Sequence, residues 1–176
     1  MITTVDVETS WQVMSNGGYD PSPFHPDNIL VSVGINDEYY FTNHSERIDK
    51  GCYHNIQSVL DKTTLLIGHN IKFDLMWLLE SGFKYSGRVY DTMLGEYILN
   101  RGIRKSLTLE MSCRRRRIGS KDSRIKEFTD RGIPFQNIPV GLVEEYGRMD
   151  VEITRDLFNS QMADFKMPKN KHLLKT

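Results

Sequence analysis

The sequence predicts an α/β domain with a mixed central sheet flanked by helices, and three observations indicate this fold class. β-Branched residues alternate with polar ones over Ile2–Thr9, which is typical of a strand. Two further strand-like runs follow, and helical and strand-like segments then alternate as far as residue 91. The length of 176 residues suits one domain, and 39% hydrophobic with 26% charged residues is typical of a globular protein.

The first part of the chain is predicted to be rich in strands. Asn36 and Asp37 mark a tight turn between two runs of β-forming residues. Ile56 and Leu60 recur at helical spacing, and a short apolar run follows them. In chain order we predict a strand at 2–9, a Gly/Pro-rich loop at 15–28, strands at 29–35 and 38–42, a helix at 53–62 and a strand at 64–68.

The second part is predicted to be mainly helical. Gly82 is a stop signal for one helix, and Asp91 is a candidate N-cap for the next. Residues 119–139 show no clear periodicity, so we expect irregular structure there. The predicted elements are a helix at 73–80, a strand at 88–90, a helix from Asp91 through Ile98, and helices at 107–116 and 140–162.

Cysteine content and the amino-terminal residues exclude several classes of protein. Two cysteines, Cys52 and Cys113, cannot form a disulfide framework or a four-cysteine zinc site. Asp6 and Glu8 stand where a signal peptide needs apolar residues, and no apolar run is long enough for a bilayer. We therefore expect a reduced, cytoplasmic setting and no membrane association.

The net charge of zero results from blocks of opposite sign that cancel. Residues 1–100 carry a net charge of −7, whereas residues 101–131 hold 11 basic and 4 acidic side chains. The tail at 166–176 has four lysines and no acid. Such segregation is expected of a protein that binds a polyanion at one place and gathers carboxylates at another.

Three short motifs bring acidic residues into positions where they can act together. Asp6 and Glu8 are two apart on a strand, so both carboxylates lie on one face and need a partner at the edge of the core. Asp74 lies where a buried strand turns into a helix, where ligands gather in α/β sheets, although it also suits the positive end of the helix. Tyr146 and Asp150 are four apart on a helix and share a face.

In this order the motifs resemble those of the DEDD (DnaQ-like) 3′–5′ exonucleases, which have the RNase H-like fold. The sequence most resembles the tyrosine subgroup, which includes the proofreading domains of family A DNA polymerases. The histidine subgroup has its histidine five residues before the last aspartate, where this chain has Glu145. The segments at 20–24 and 28–32 resemble phage members in particular.

The resemblance implies a metal-dependent reaction carried out by the four acids and the tyrosine. Four carboxylates held together repel one another unless cations lie among them, and all-oxygen ligands favour two Mg²⁺ or Mn²⁺ ions. The resemblance implies that Asp6 bridges both ions, while Glu8 and Asp150 hold the ion that carries the attacking water. It implies that Asp74 acts on the second ion through water, and that Tyr146 orients the nucleophile by a hydrogen bond.

Candidate substrate contacts come from the resemblance and from the basic block. The resemblance implies that Asn70 and the backbone at Thr9 and Ser10 touch the terminal nucleotide. Phe73 is a candidate for base stacking, with core packing as the alternative. His69 either orients its loop or contacts substrate, and Asp91 is interpreted as a helix cap. The arginine run at 114–117, including Arg114 and Arg115, with Arg104, Lys105, Lys121 and Arg124 nearby, either tracks a nucleic-acid backbone or forms a solvated face.

We therefore expect residues 1–165 to form an exonuclease domain, followed by a basic tail at 166–176. Its expected substrate is the 3′ end of single-stranded DNA, and its expected products are nucleoside 5′-monophosphates. A phage proofreading role is expected, in the host cytoplasm, with a DNA polymerase subunit or a C-terminal polymerase domain as partner. The alternatives are an RNA 3′ exonuclease of the RNase D type and a non-catalytic module that docks to DNA or a polymerase.

Overall fold

The computed structural model describes residues 1–119 and 124–167, and its centre is a five-stranded mixed sheet. A separate two-stranded ribbon lies in the loop that follows the first strand. The strands are β1 (Ile2–Thr9), β2 (Gln12–Val13), β3 (Tyr19–Asp20), β4 (Leu30–Ile35), β5 (Glu38–Phe41), β6 (Leu65–Gly68) and β7 (Arg88–Asp91).

Six α-helices are described, and a short 3-10 turn at Phe135–Asn137 precedes the last of them. The helices are α1 (Cys52–Lys62), α2 (Ile71–Glu80), α3 (Thr92–Leu99), α4 (Leu109–Arg116), α5 (Arg124–Asp130) and α6 (Val140–Lys166). Within the described residues, no helix has both the length and the apolar character that a membrane span requires.

Strand β1 lies at the centre of the main sheet, whose order is β5-β4-β1-β6-β7. It pairs antiparallel with β4 and parallel with β6, and β6 pairs parallel with β7. Because parallel strands end at the same edge, the residues at the carboxyl ends of β1, β6 and β7 gather there. The pairing of β1 with β4 shifts register between Glu8 and Thr9, at the same edge.

Helix α6 comes unusually close to the sheet because two glycines face each other across the contact. A Cβ atom on Gly147 would lie 2.3 Å from the Tyr39 hydroxyl oxygen, and one on Gly34 would lie 2.7 Å from a Val151 methyl carbon. Tyr39 is buried between them, and its hydroxyl donates to the Val143 carbonyl oxygen at 3.3 Å. Because Gly34 and Gly147 have no side chains, α6 can pack this close to the sheet.

The predicted fold class and the order of the predicted elements are confirmed. The α/β class with a mixed sheet and flanking helices matches the structure, and Asp91 caps α3 by accepting from the Met93 N–H at 2.8 Å. Helix α4 begins two residues later than predicted, and α6 extends four residues further.

Two predictions of irregular structure are wrong in part. Residues 119–139 contain α5 and the 3-10 turn, because Ile125 and Phe128 are stabilised by packing with Phe41 and Val143 rather than by a long local periodicity. The loop at 15–28 includes β3, which pairs with β2. The predicted boundary at 165/166 falls one residue before α6 ends. Lys121 and tail residues 168–176 lie outside the described residues.

Candidate active site

Three carboxylates meet at the carboxyl end of β1. Asp6 and Glu8 from β1 and Asp150 from α6 each offer an oxygen, and these oxygens all lie within 4.8 Å of one another. Glu8 and Asp150 are buried, and Asp6 is half-buried. Residues nearly 150 positions apart in sequence therefore form one acidic site.

Local structure explains how these three acids come together. The two-residue repeat of the strand places Asp6 and Glu8 on one face of β1, as the sequence predicts. The close approach of α6, which Gly147 and Gly34 permit, brings Asp150 up to that face. Asp150 follows Tyr146 by one helical turn, so the tyrosine is carried to the same place.

The fourth predicted acid, Asp74, lies beside this group rather than within it. Its Oδ1 accepts a hydrogen bond of 3.0 Å from the Val7 N–H, between the two acids of β1. Burial and the negative charge of Asp6 raise the pKa of Asp74 well above its ordinary value. The position of the carboxylate in the first turn of α2 suits the helix dipole, as the alternative interpretation states, and its part in metal binding stays a prediction.

The donor set of the site suits a hard divalent cation. All three clustered ligands are carboxylate oxygens, which Mg²⁺ and Mn²⁺ prefer and which distinguish this site from the nitrogen and sulfur sites typical of zinc. Packing three carboxylates this closely is costly without a cation, since like charges at about 4 Å repel by roughly 4 kcal/mol at an effective dielectric of 20. The residues present therefore fit a bound metal.

Tyr146 borders the acids and remains protonated. Burial, the charges of Glu8, Asp150 and Asp6, and a hydrogen bond to Asp150 raise its pKa far above the ordinary value. Its ring packs against Phe135, with ring centroids 6.0 Å apart. The preceding Glu145 is exposed and forms an ion pair with Arg124. Of these two residues, Tyr146 is therefore the one that can donate a hydrogen bond toward the acids, whereas Glu145 points to Arg124.

Hydrogen bonds of Asp91 and of His69 hold the loop before α2 in place. Asn70 has a left-handed backbone with φ of 61°, is exposed, and donates its N–H to Asp91 Oδ1 at 2.9 Å. Because Asp91 also caps α3, one carboxylate holds the starts of both helices. His69 bonds Thr92 Oγ1 at 2.9 Å and the Leu107 carbonyl oxygen at 2.8 Å, which gives it the loop-orienting role.

The other predicted contact residues on this side are partly or wholly buried. Thr9 is buried at the end of β1, next to the acids. Ser10 is fully buried, and both its N–H and its hydroxyl bond the backbone of Ile29, at 3.0 and 2.7 Å. Phe73 is partly buried and packs against the core, as its alternative interpretation states. Of this group, Asn70 offers the most exposed polar side chain.

The predicted arginine contacts divide into two kinds. Arg114 is exposed on α4 and lines a cavity of about 400 Å³ with Arg117. Arg115 bonds Glu96 at 3.1 Å and the Ser106 carbonyl oxygen at 2.7 Å. Arg116 also bonds Glu96 and reaches Asp164 at 2.8 Å. The first and last arginines of the run therefore face solvent, whereas the two middle ones point inward to an ion-pair network.

Sequence analysis missed two residues that support the site. Tyr39 is buried beneath α6, with its hydroxyl 2.8 Å from Ser32 Oγ, and it fixes the height of the helix that carries Asp150. Glu96 is the buried anion that holds two of the arginines and Gln161. Their partners lie at sequence separations of 7 to over 100, so no local signal could have identified them.

Comparison with known proteins adds evidence of three kinds. The chain matches the 3′-5′ exonuclease family over residues 22–162, a stretch that contains Asp74, Tyr146 and Asp150 but begins after Asp6 and Glu8. DNA polymerase I of Borreliella burgdorferi is 25% identical over 118 residues, which cover 65% of this chain and 13% of that polymerase. A solved structure described as the apo form of a nuclease shares the fold, with a TM-score of 0.65, 15% identity and coverage of 96% of this chain and 75% of that one.

Proposed function

The chain belongs to the 3′-5′ exonuclease family, and from this premise we propose that it removes nucleotides from the 3′ end of single-stranded DNA, releasing nucleoside 5′-monophosphates. The observation that carries this proposal is the meeting of Asp6, Glu8 and Asp150 within 4.8 Å of one another. Two of these acids lie outside the stretch matched to the family, so the geometry supports the assignment independently.

Asp6, Glu8 and Asp150, with Asp74 alongside, would hold the divalent cations. When bound, two Mg²⁺ or Mn²⁺ ions supply an activated water and stabilisation of the leaving oxygen. Asp74 keeps its Oδ1 on the Val7 N–H, so it holds the backbone between Asp6 and Glu8 in place. The protein contributes a fixed carboxylate array, since both the strand and the helix that carry it are packed in the core.

Tyr146 acts as a hydrogen-bond donor to the attacking water or the phosphate. An ordinary phenol has a pKa near 10, and burial with the neighbouring carboxylates raises the pKa of Tyr146 further, so the proposal gives this residue a hydrogen bond rather than the role of general base. The contact with Phe135 fixes the ring, which leaves the hydroxyl pointed among the carboxylates. This is the role that membership of the tyrosine subgroup, which we also propose, assigns to the residue.

We propose proofreading in phage DNA replication as the biological setting. The polymerase I relative supports a polymerase partner, and the chain spans about 13% of that protein, so it corresponds to one part of such an enzyme. In this proposal residues 1–165 are the catalytic unit, followed by the basic tail at 166–176, and the protein acts in the host cytoplasm. The partner is then either a separate subunit or a polymerase domain.

Digestion of end-labelled oligonucleotides tests the proposal. With Mg²⁺, wild-type protein should shorten a 5′-labelled DNA single strand from its 3′ end and release labelled 5′-monophosphate from a 3′-terminal label. EDTA or Asp6→Ala should lower the rate by at least about 10³-fold, because EDTA removes the cations and the substitution removes one of the carboxylates that would hold them. Asp61→Ala, an exposed acid on α1, is the matched control and should retain the wild-type rate.

Two results would contradict the proposal in different ways. Faster digestion of an RNA strand of the same sequence would replace the DNA substrate by RNA. Equal rates for wild type and Asp6→Ala would remove the enzymatic assignment and leave a binding module.

A further inference from the structure

Four aromatic rings form a continuous row from the surface to the acidic site. Tyr19 on β3 is 48% exposed, and its ring contacts Trp11 edge-on with centroids 5.7 Å apart. Trp11 contacts Phe135 at 5.9 Å, and Phe135 contacts Tyr146 at 6.0 Å. Tyr19 of the ribbon is thus linked through Trp11 and Phe135 to Tyr146, the residue that borders the carboxylates.

The outer end of this row opens into a small apolar cavity. It has a volume of about 210 Å³ and is lined by Trp11, Tyr19, Pro21 and Thr129. Two of its polar groups bond within the protein: the Pro21 carbonyl oxygen accepts from Trp77 Nε1, and the Thr129 hydroxyl donates to the Lys126 carbonyl oxygen. A cavity of roughly 150 Å³ accommodates one benzene ring, so this one has room for a single flat aromatic group.

We propose that this cavity holds one unpaired nucleobase of the strand whose 3′ end lies at the acids, stacked on the Trp11 ring with its edge toward Tyr19. The inference rests on the proposed function, because it takes the substrate to be a single-stranded nucleic acid. A base face needs no hydrogen bond from the walls, and every base has such a face, so the cavity binds without sequence preference.

The surroundings of the cavity suit a strand rather than an isolated base. Trp11 follows β1 by two residues, so the cavity and the carboxylates are joined by a short, bonded segment of backbone. Lys126 is exposed on α5, three residues before the lining residue Thr129, and in this proposal its cation meets a phosphate of the strand that passes the cavity. The row of ring contacts joins the cavity to Tyr146, so a strand that follows this row reaches the acids.

Tryptophan fluorescence tests this site without turnover. The chain has two tryptophans, and the buried Trp77 contributes equally to wild type and to Trp11→Phe, so their difference spectrum reports Trp11. In EDTA, which prevents turnover, the anisotropy of a fluorescein-labelled oligo(dT) is followed as protein is added. This titration gives the fraction of protein that has bound the strand. At full occupancy with unlabelled oligo(dT), the Trp11 signal should be quenched, and an abasic phosphodiester strand of equal length should leave it unchanged.

A second measurement locates the base and separates the two proposals. Single abasic positions at each of the last four nucleotides should identify one that weakens binding by about tenfold in wild type, and Trp11→Ala should abolish that difference. Tyr53→Ala, which removes an exposed aromatic that stacks on Phe83 away from the ribbon, should keep the wild-type discrimination.

Failure of the strand to bind, or occupancy without any Trp11 signal, would overturn the stacking site. Quenching together with an absence of hydrolysis in Mg²⁺ would instead support the stacking site and contradict the proposed exonuclease. Equal quenching by the abasic strand would show that the sugar-phosphate backbone accounts for the Trp11 signal. That result would overturn the nucleobase assignment.

Discussion

At the scale of single residues, Tyr146 is the clearest case in which environment decides chemistry. Its phenol lies among Glu8, Asp150 and Asp6, and burial with these charges keeps the proton on the oxygen. The same carboxylates would make an ionised tyrosine very costly. In the proposed reaction the residue acts through a hydrogen bond, so its removal should affect turnover more than folding.

Replacing Tyr146 by phenylalanine should lower kcat by roughly 10²-fold, which is typical of losing one oriented hydrogen-bond donor. The ring contact with Phe135 is retained, so the melting temperature should stay within a few degrees of wild type. Single-turnover digestion and thermal unfolding measure the two effects. Tyr97→Phe on the exposed face of α3 is the control, and an unchanged kcat in Tyr146→Phe would exclude the tyrosine from the reaction.

Glu96 shows how a buried charge is tolerated when it is fully paired. Burial alone would raise the pKa of this carboxyl, but hydrogen bonds from Gln161, Arg116 and Arg115 lower the pKa below its ordinary value. A lowered folded-state pKa stabilises the protein above the unfolded value near 4.5, and that stabilisation is lost as the pH falls through the folded value.

Glu96→Gln should therefore lower the free energy of unfolding at pH 7 by about 3 kcal/mol, since two arginines lose their buried partner. Below pH 4.5 the wild-type protein should lose stability more steeply than the variant, so the two curves converge. Urea unfolding across pH 3 to 7 measures this difference. Glu110→Gln, an exposed acid of α4, should follow the wild-type curve, and parallel curves for Glu96→Gln would contradict the assignment.

At the scale of elements, the contact between α6 and the sheet decides whether the site exists. Gly147 lies between Tyr146 and Asp150, and any side chain there meets the Tyr39 hydroxyl. The helix is 27 residues long and buries its inner face along much of its length. A small displacement at Gly147 would therefore move both functional side chains away from β1.

Gly147→Ala should destabilise the protein by about 1–3 kcal/mol through overpacking and should reduce activity in the folded fraction. Gly141 lies on the same helix with open space around its Cα, so Gly141→Ala should be neutral or stabilising by up to about 1 kcal/mol. Chemical unfolding together with the exonuclease rate measures both. Equal stability for the two variants would contradict the close-contact explanation.

At the scale of the whole molecule, charge is divided between the two parts of the proposed function. The carboxylates gather at the end of β1, whereas the basic block of 101–131 includes exposed Arg114 and Arg117 on α4. Ile118, in the wall of their cavity, packs against the cluster that includes Ile153 on α6. The two exposed arginines therefore lie on the side of the molecule that leads to Asp150.

The double substitution Arg114→Ala and Arg117→Ala should flatten the dependence of single-strand affinity on salt. Each lost phosphate contact removes about 0.7 from the slope of log K against log salt concentration, so the slope should fall by about 1.4. Anisotropy titrations between about 50 and 200 mM NaCl measure this slope. Arg88→Ala is the control, because Arg88 begins β7 at the end away from the edge where the acids gather, and it should keep the wild-type slope. An unchanged slope in the double variant would show that Arg114 and Arg117 face solvent without binding the strand.

Local sequence patterns are sufficient to predict the order of the main elements and the candidate acids. The alternation in Ile2–Thr9 fixes the shared face of Asp6 and Glu8, and the four-residue spacing fixes Tyr146 beside Asp150. The fold class and the cap at Asp91 follow from the same kind of short-range information. None of these depends on where distant segments pack.

Which side chains meet depends on how distant segments of the chain pack together. The depth of α6 depends on Gly34, Gly147 and Tyr39, which lie on three different elements, and no local pattern encodes that contact. Arg114 and Arg115 are adjacent in sequence, yet one faces solvent and the other binds Glu96, because a helix turns by about 100° per residue and only packing decides which direction is inward. Helix α5 likewise forms because apolar partners from β5 and α6 bury it, a stabilisation that its own short sequence does not reveal.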